Sequence, residues 1–181
     1  MSTKTVEEKA VQVPAGVKAS MDGPFLVMKG KLGETRKDFT KINVHLAVQG
    51  DKVTVTPFSE KKKDNIVINT ILSIVNNMIT GVTKGYTYKV KVVYAHFPIS
   101  VKTKGDEIQV ENFVGERSPR IAKIIGSCKV TIEGDDVIVK GVSVEDVGQT
   151  AANLELATKI KRKDQRVFLD GLYIYEKLEG W

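Results

Sequence analysis

Five cations fall within eight residues, at Lys159, Lys161, Arg162, Lys163 and Arg166, in the run KIKRKDQRVFLDGLYIYEK from 159 to 177. Like charges this close repel one another unless they share an anion. Arg162 and Arg166 stand four apart and can reach one phosphate backbone. The run follows a predicted helix, whose C-terminal pole also favours cations. That dipole explains some of the five but does not need them all, so phosphate binding is the chemistry the arm suggests. The run then turns apolar through Phe168, Leu172, Tyr173, Ile174 and Tyr175, broken by Asp170-Gly171. Phe168 and Ile174 read as core. Tyr173 and Tyr175 share a strand face, and nothing in the sequence supports base stacking by them.

Two further segments carry polar groups. VGQTAAN, residues 147–153, offers Gln149, Thr150 and Asn153 in the first turns of a helix. It fits an anion-binding helix start and an ordinary Ala-rich helix equally well. NFVGERSPR, residues 112–120, is a loop punctuated by Gly115 and Pro119, with Arg117 and Arg120 projecting from it. Surface arginines are common, so these two matter only if the fold sets them beside the arm. Lys61, Lys62 and Lys63 read as a solvated loop.

Catalytic chemistry is nearly absent. His45 and His96, the only histidines, sit in strand-like runs without a partner at metal-ligand spacing. No glycine-rich phosphate loop and no nucleophile elbow is present. Asp135-Asp136 and Glu145-Asp146 are carboxylate pairs, but adjacent strand positions face opposite ways. Cys128, the one cysteine, excludes an intrachain disulfide and reads as a buried, inert thiol in SCKVTI. The sequence predicts no cofactor, no metal and no small-molecule substrate.

The elements that must position the arm recur along the chain. VHLAVQGDKVTVTPF (44–58) and KVTIEGDDVIVKGV (129–142) each alternate apolar residues about a Gly-Asp turn, a hairpin signature. The turns lie 84 residues apart. A helical pattern follows the first hairpin, with Ile68, Ile71, Leu72, Val75 and Ile79 on one face. Asp64 or Asn65 can cap its start and Gly81 its end. The second hairpin leads to SVEDVGQTAANLELATKIK, where Ser143 and Asp146 read as a capping box and Val147, Ala151 and Leu154 as the buried stripe. Each helix then leads to a strand, from 86 and from 166. Paired strands around 25–42 and 97–113 open the two halves. The fold class is therefore α+β: two tandem copies of a small domain, each an antiparallel sheet covered by one main helix. The domains are 1–84 and 85–181. A strand from Tyr88 to Lys102 can bridge them as a short, stiff linker.

The chain is basic, with 28 Lys plus Arg against 22 Asp plus Glu, net +6. Residues 1–90 hold 14 basic and 8 acidic residues, and residues 91–181 hold 14 of each. A neutral half can still bind phosphate through a local patch, because fields fade over about 10 Å at physiological salt. The N-terminus lacks the apolar core of a signal peptide, and no 18-residue apolar run is read, so neither export nor membrane spanning is expected. The cytosol is the expected compartment.

The C-terminal run Arg166, Phe168, Asp170-Gly171-Leu172-Tyr173-Ile174 and Lys177, with Ile160 and Lys163 upstream, resembles the archaeal and eukaryotic form of the universal large-subunit ribosomal protein six family. VGQTAAN and NFVGE with its following Pro-Arg are similar to the same family, and the likeness covers essentially the whole chain. Leu156 departs from it, standing where a glutamine is expected. The resemblance implies a duplicated α/β fold. It implies binding to large-subunit rRNA near the sarcin–ricin region and the stalk base, with neighbouring ribosomal proteins and translation factors close by. RNA contact is expected to fall mostly on the second domain, on Gln149, Thr150, Asn153, Lys159, Arg162, Lys163, Arg166 and Lys177, with Arg117 and Arg120. A different class of function stays open: a free-standing module whose basic N-terminal half binds an acidic protein.

Overall fold

The computed structural model describes residues 9–58, 62–161, 163, 164 and 166–181, and residues 62–65 by backbone alone. Two compact units divide between Lys84 and Gly85.

In the first unit β1 (Lys9–Gln12) pairs with β6 (Lys52–Pro57), which pairs with β5 (Val44–Gln49), all antiparallel. A second sheet joins β2 (Lys18–Asp22), β3 (Phe25–Lys29) and β4 (Glu34–Asp38) in chain order. The helix α1 (Lys62–Thr83) packs on β6, β1, β3 and β4. Its buried stripe is Ile68, Ile71, Val75, Met78 and Val82. Each fully buried side chain of this kind contributes roughly 1.5–3 kcal/mol. Leu72 and Ile79, expected in the stripe, lie only half-buried at its edge. The helix also outruns the expected stop at Gly81. It ends at Thr83, and Gly85 takes the left-handed φ of +81° that closes it. The Asp64 and Asn65 caps concern side chains outside the described residues.

One sequence expectation on α1 needs correction. Ile66–Thr83 is 18 residues long and apolar enough to cross a membrane by length and composition. Its faces nevertheless differ. Asn69, Ser73, Asn76 and Asn77 are exposed, while the Ile/Val/Met stripe belongs to the unit's own core.

The second unit repeats the plan. β11 (Lys129–Glu133), β12 (Asp136–Gly141) and β7 (Tyr86–Val93) match β5, β6 and β1 in order and direction. β8 (Ser100–Lys104), β9 (Glu107–Glu111) and β10 (Arg120–Lys123) match β2, β3 and β4. The Gly-Asp turns agree in backbone, with Gly50 at φ 58° and Gly134 at φ 60°. α2 (Val144–Ala157) covers β7, β10, β12 and β13. Ser143 Oγ accepts from the Asp146 amide at 3.3 Å, capping the helix as its sequence predicts. Val147, Ala151 and Leu154 are fully buried.

The duplication is α+β and antiparallel, but its phase differs from the sequence reading. The strand after α1 is β7, which opens the second unit instead of closing the first. β13 (Gly171–Glu179) adds a fourth strand beside β7. Nothing among the described residues matches it in the first unit. The expected strand 88–102 is broken: β7 stops at Val93 and β8 starts at Ser100. Pro98 has no N–H for a ladder, and the chain loops out around it. The strand expected from 166 begins only at Gly171, and it bulges between Ile174 and Glu176.

Candidate nucleic-acid interface

Three loops of the second unit meet: 94–99 after β7, 112–119 after β9, and 158–170 between α2 and β13. The helix α2 ends at Ala157, so the described residues of the basic arm lie beyond the helix and not at its end. What holds that loop lies far away in sequence. Arg120 Nη1 donates to the carbonyls of Ala157 at 2.8 Å and Lys159 at 3.2 Å. Its Nε and Nη2 donate to both carboxylate oxygens of Glu116, at 2.8 and 2.6 Å. The guanidinium carbon sits 4.3 Å from the ring centre of Phe113, which is buried. Arg120 thus satisfies helix-end carbonyls that would otherwise lack donors. Its hydrogen bond and charge hold the Glu116 carboxyl below the usual carboxylate range.

The other end of the arm is fixed by Asp170, which is 1% exposed. Its Oδ1 accepts from the Ala95 amide at 2.9 Å. Oδ2 is buried, 3.7 Å from His96 Nδ1. Burial alone would raise this carboxyl's pKa, but backbone N–H donors and His96 outweigh it and the net shift is downward. Phe168 lies against His96, with ring centres 5.3 Å apart, and Lys163 Nζ stands 4.5 Å from the Phe168 centre. Asn112 Nδ2 donates to the Pro98 carbonyl at 3.0 Å, joining the 112–119 and 94–99 loops. Asn112 and Val114 both take left-handed backbone, φ 58° and 51°. For β-branched Val114 this is a strained conformation that the surrounding contacts must hold, and such strain gathers at functional sites.

The residues singled out from sequence separate into groups. Lys159, Lys161, Lys163 and Arg166 are exposed on the arm, and Arg117 is exposed on the 112–119 loop. Arg166 pairs with Asp164 at 3.1 Å while its side chain stays 89% exposed. Arg162 lies outside the described residues. Gln149 is exposed and donates to Asn153 Oδ1 at 2.9 Å, and Asn153 Nδ2 donates to the Lys123 carbonyl at 2.9 Å. This pair therefore braces α2 against β10.

Three other candidates have different surroundings. Thr150 is fully buried, and its hydroxyl accepts from the Ile125 amide at 3.0 Å, so it serves the core. Arg120 is committed to Glu116 and the end of α2, which makes it a framework residue. Lys177 lies six residues along β13 from Gly171, about 20 Å from the loops at strand rise. It sits over Tyr88 instead, 5.5 Å from the ring centre.

The sequence reading missed the 94–99 loop, where Tyr94, His96 and Phe97 are exposed. The signal was Pro98, which cannot continue a strand. His96 therefore lies in this loop and not in a strand. Leu156, the departure from the family pattern, is 63% exposed at an apolar cleft of about 550 Å³ between α2 and the arm. Cys128 is half-buried, not buried, and burial pushes its thiol pKa up. Among the described residues no group of His, Cys, Asp and Glu can hold a metal.

A family model for ribosomal protein L6 matches residues 13–85 and 97–171, once for each unit. The chain belongs to the ribosomal protein L6 family. The large ribosomal subunit protein uL6 of Archaeoglobus fulgidus is 46% identical over 181 residues, covering 97% of this chain and 92% of the relative. That of Aeropyrum pernix is 46% identical over 168 residues, covering 92% of each. That of Methanocella arvoryzae is 43% identical over 178 residues, covering 98% and 99%. Members of the L6 family are structural ribosomal proteins and not enzymes, which agrees with a site built from cations and loops.

Proposed function

We propose that the chain binds large-subunit rRNA through the three-loop end of its second unit. In this reading the contact lies near the sarcin–ricin region and the stalk base and supports the surface where translation factors dock. Residues 85–181 carry most of the RNA contact and residues 1–84 less. Other large-subunit proteins adjoin the chain, and the assembly works in the cytoplasm.

One observation carries the reading. Exposed Lys159, Lys161, Lys163 and Arg166 stand on a loop fixed at both ends, by Arg120 and by Asp170, beside exposed Arg117. Cations held this way lose less freedom on binding than cations on a free tail. Phosphate contact then supplies most of the affinity, so binding falls steeply with salt.

The test is sedimentation of a lysate through a sucrose gradient, with wild type and with Lys159, Arg162, Lys163 and Arg166 all changed to Ala. Wild type travels with the large subunit, and the variant stays at the top while its circular dichroism is unchanged. Normal incorporation of a folded variant would defeat the reading.

A further inference from the structure

We propose that the 94–99 loop seats an unpaired nucleobase of the RNA, with Phe97 and Tyr94 as its stacking platform and the arm cations on the flanking phosphates. The inference rests on the reading of this end as RNA-facing, and it adds what kind of RNA element the end takes.

Residues 93–98 are exposed without a break, and two of them are aromatic: Tyr94 at 44% and Phe97 at 41%. Exposed rings on a six-residue loop are an unusual concentration of apolar area. Burial elsewhere in the unit does not need them, since its core closes on Val90, Val92, Ile108, Val110 and Phe113.

The loop is nevertheless held firmly. Ala95 N–H is taken by Asp170, and the Pro98 carbonyl by Asn112. Phe97 packs so closely on Gly115 that a Cβ there would come within 3.3 Å of its ring. Gly115 is thereby required twice, by this approach and by its φ of +77°. The Phe97 ring is therefore held before any partner arrives, and the neighbouring loop that holds it is strained at Val114.

What surrounds the rings selects the partner. Lys163 stands over Phe168, and Phe168 contacts His96 on the same loop. Arg117 projects from the loop that carries Gly115. An apolar protein surface would gain nothing from these cations. A splayed nucleotide uses both features, the ring for its base and the cation for its phosphate. A continuous duplex stacks its own bases and would leave the rings idle.

The test uses large subunits assembled with the full chain, wild type or carrying Tyr94→Leu and Phe97→Leu together. Leucine keeps apolar bulk against Gly115 while removing the π face, and a thermal melt checks that the fold is retained. Base-specific chemical probing reads unpaired bases, and hydroxyl-radical probing reads the backbone. The expected result is one unpaired base that becomes at least about fivefold more reactive in the variant while backbone protection persists. Binding to the isolated RNA should weaken about five- to a hundredfold. Phe97→Tyr together with Tyr94→Phe should restore the protected base.

Identical base reactivity with wild type and the leucine variant would overturn the inference. So would cross-linking of either ring to a neighbouring protein. The four-cation arm variant separates the two ideas. If it binds that RNA with undiminished affinity, the reading of this end as RNA-facing falls and the inference falls with it. If only the ring variant is silent, the inference alone falls.

Discussion

Arg120 Nη1 donates to the carbonyl of Ala157 at 2.8 Å, across 37 positions of sequence. The same guanidinium grips Glu116 with its other nitrogens. Arg120→Ala should therefore destabilise the second unit by about 2 kcal/mol, because it strands helix-end carbonyls and a carboxylate together. Urea unfolding followed by the emission of Trp181, the only tryptophan, checks this. Arg120→Lys should recover less than half, since an ammonium lacks the planar fork.

The arm and the strand beyond it should separate in salt titrations. Replacing Lys159, Lys163 or Arg166 by Ala should lower the slope of log affinity against log salt by about 0.7 to 0.9 for each phosphate no longer neutralised. Lys177→Ala should leave the slope unchanged, because Lys177 sits on the sheet over Tyr88.

Thr150→Val should cost stability and spare RNA affinity. The change removes the acceptor for the Ile125 amide inside the core, worth about 1–2 kcal/mol. An RNA titration beside a thermal melt tells this apart from a contact residue, which would behave the opposite way.

Asp170 sets an acid limit. Its carboxyl is held below its ordinary value, so its contribution is complete above the unfolded value near 3.9 and is lost as pH falls through the lower folded value. Acid unfolding below about pH 4 should be steeper in wild type than in Asp170→Asn. Hydrogen exchange at the Ala95 amide should quicken in Asp170→Ala, which loses the acceptor outright.

Gly85→Ala should strain the start of the second unit. Gly85 has φ +81°, and an added Cβ would meet the Trp181 indole. The backbone alone should cost about 1–2 kcal/mol. The displaced indole should shift the emission maximum, which a single fluorescence spectrum records.

The repeated hairpins were legible because everything they need is local: alternating apolar residues, and a glycine where the turn demands positive φ. α2 was legible for the same reason, with Ser143 at its start and Val147, Ala151 and Leu154 at helical spacing. The phase of the repeat was not, because β7 chooses its partners through β12 and β13, tens of residues away. Thr150 and Asn153 read alike in sequence, both small and polar on one helix. Only the packing of the 124–126 turn buries the first and leaves the second at the rim. The end of α2 was hidden in the same way. The run after Ala157 looks helical, but the backbone leaves the helix at Thr158 and an arginine from another hairpin donates to the Ala157 carbonyl. The arm's charge was plain in the sequence; its shape was set elsewhere.

Among the described residues of the segment between Arg120's grip and Asp170's anchor there is no helix or strand, yet both its ends are fixed. The spacing of its described positive side chains is therefore imposed by the body that spans the gap, as a tape is held between two pegs with a fold at 164–168, where the Val167 and Phe168 amides donate back to the Asp164 carbonyl. Shortening such a tape by one residue shifts every charge on it, whereas blanking one charge disturbs only a single spot. The length of this segment is accordingly more tightly constrained than its composition.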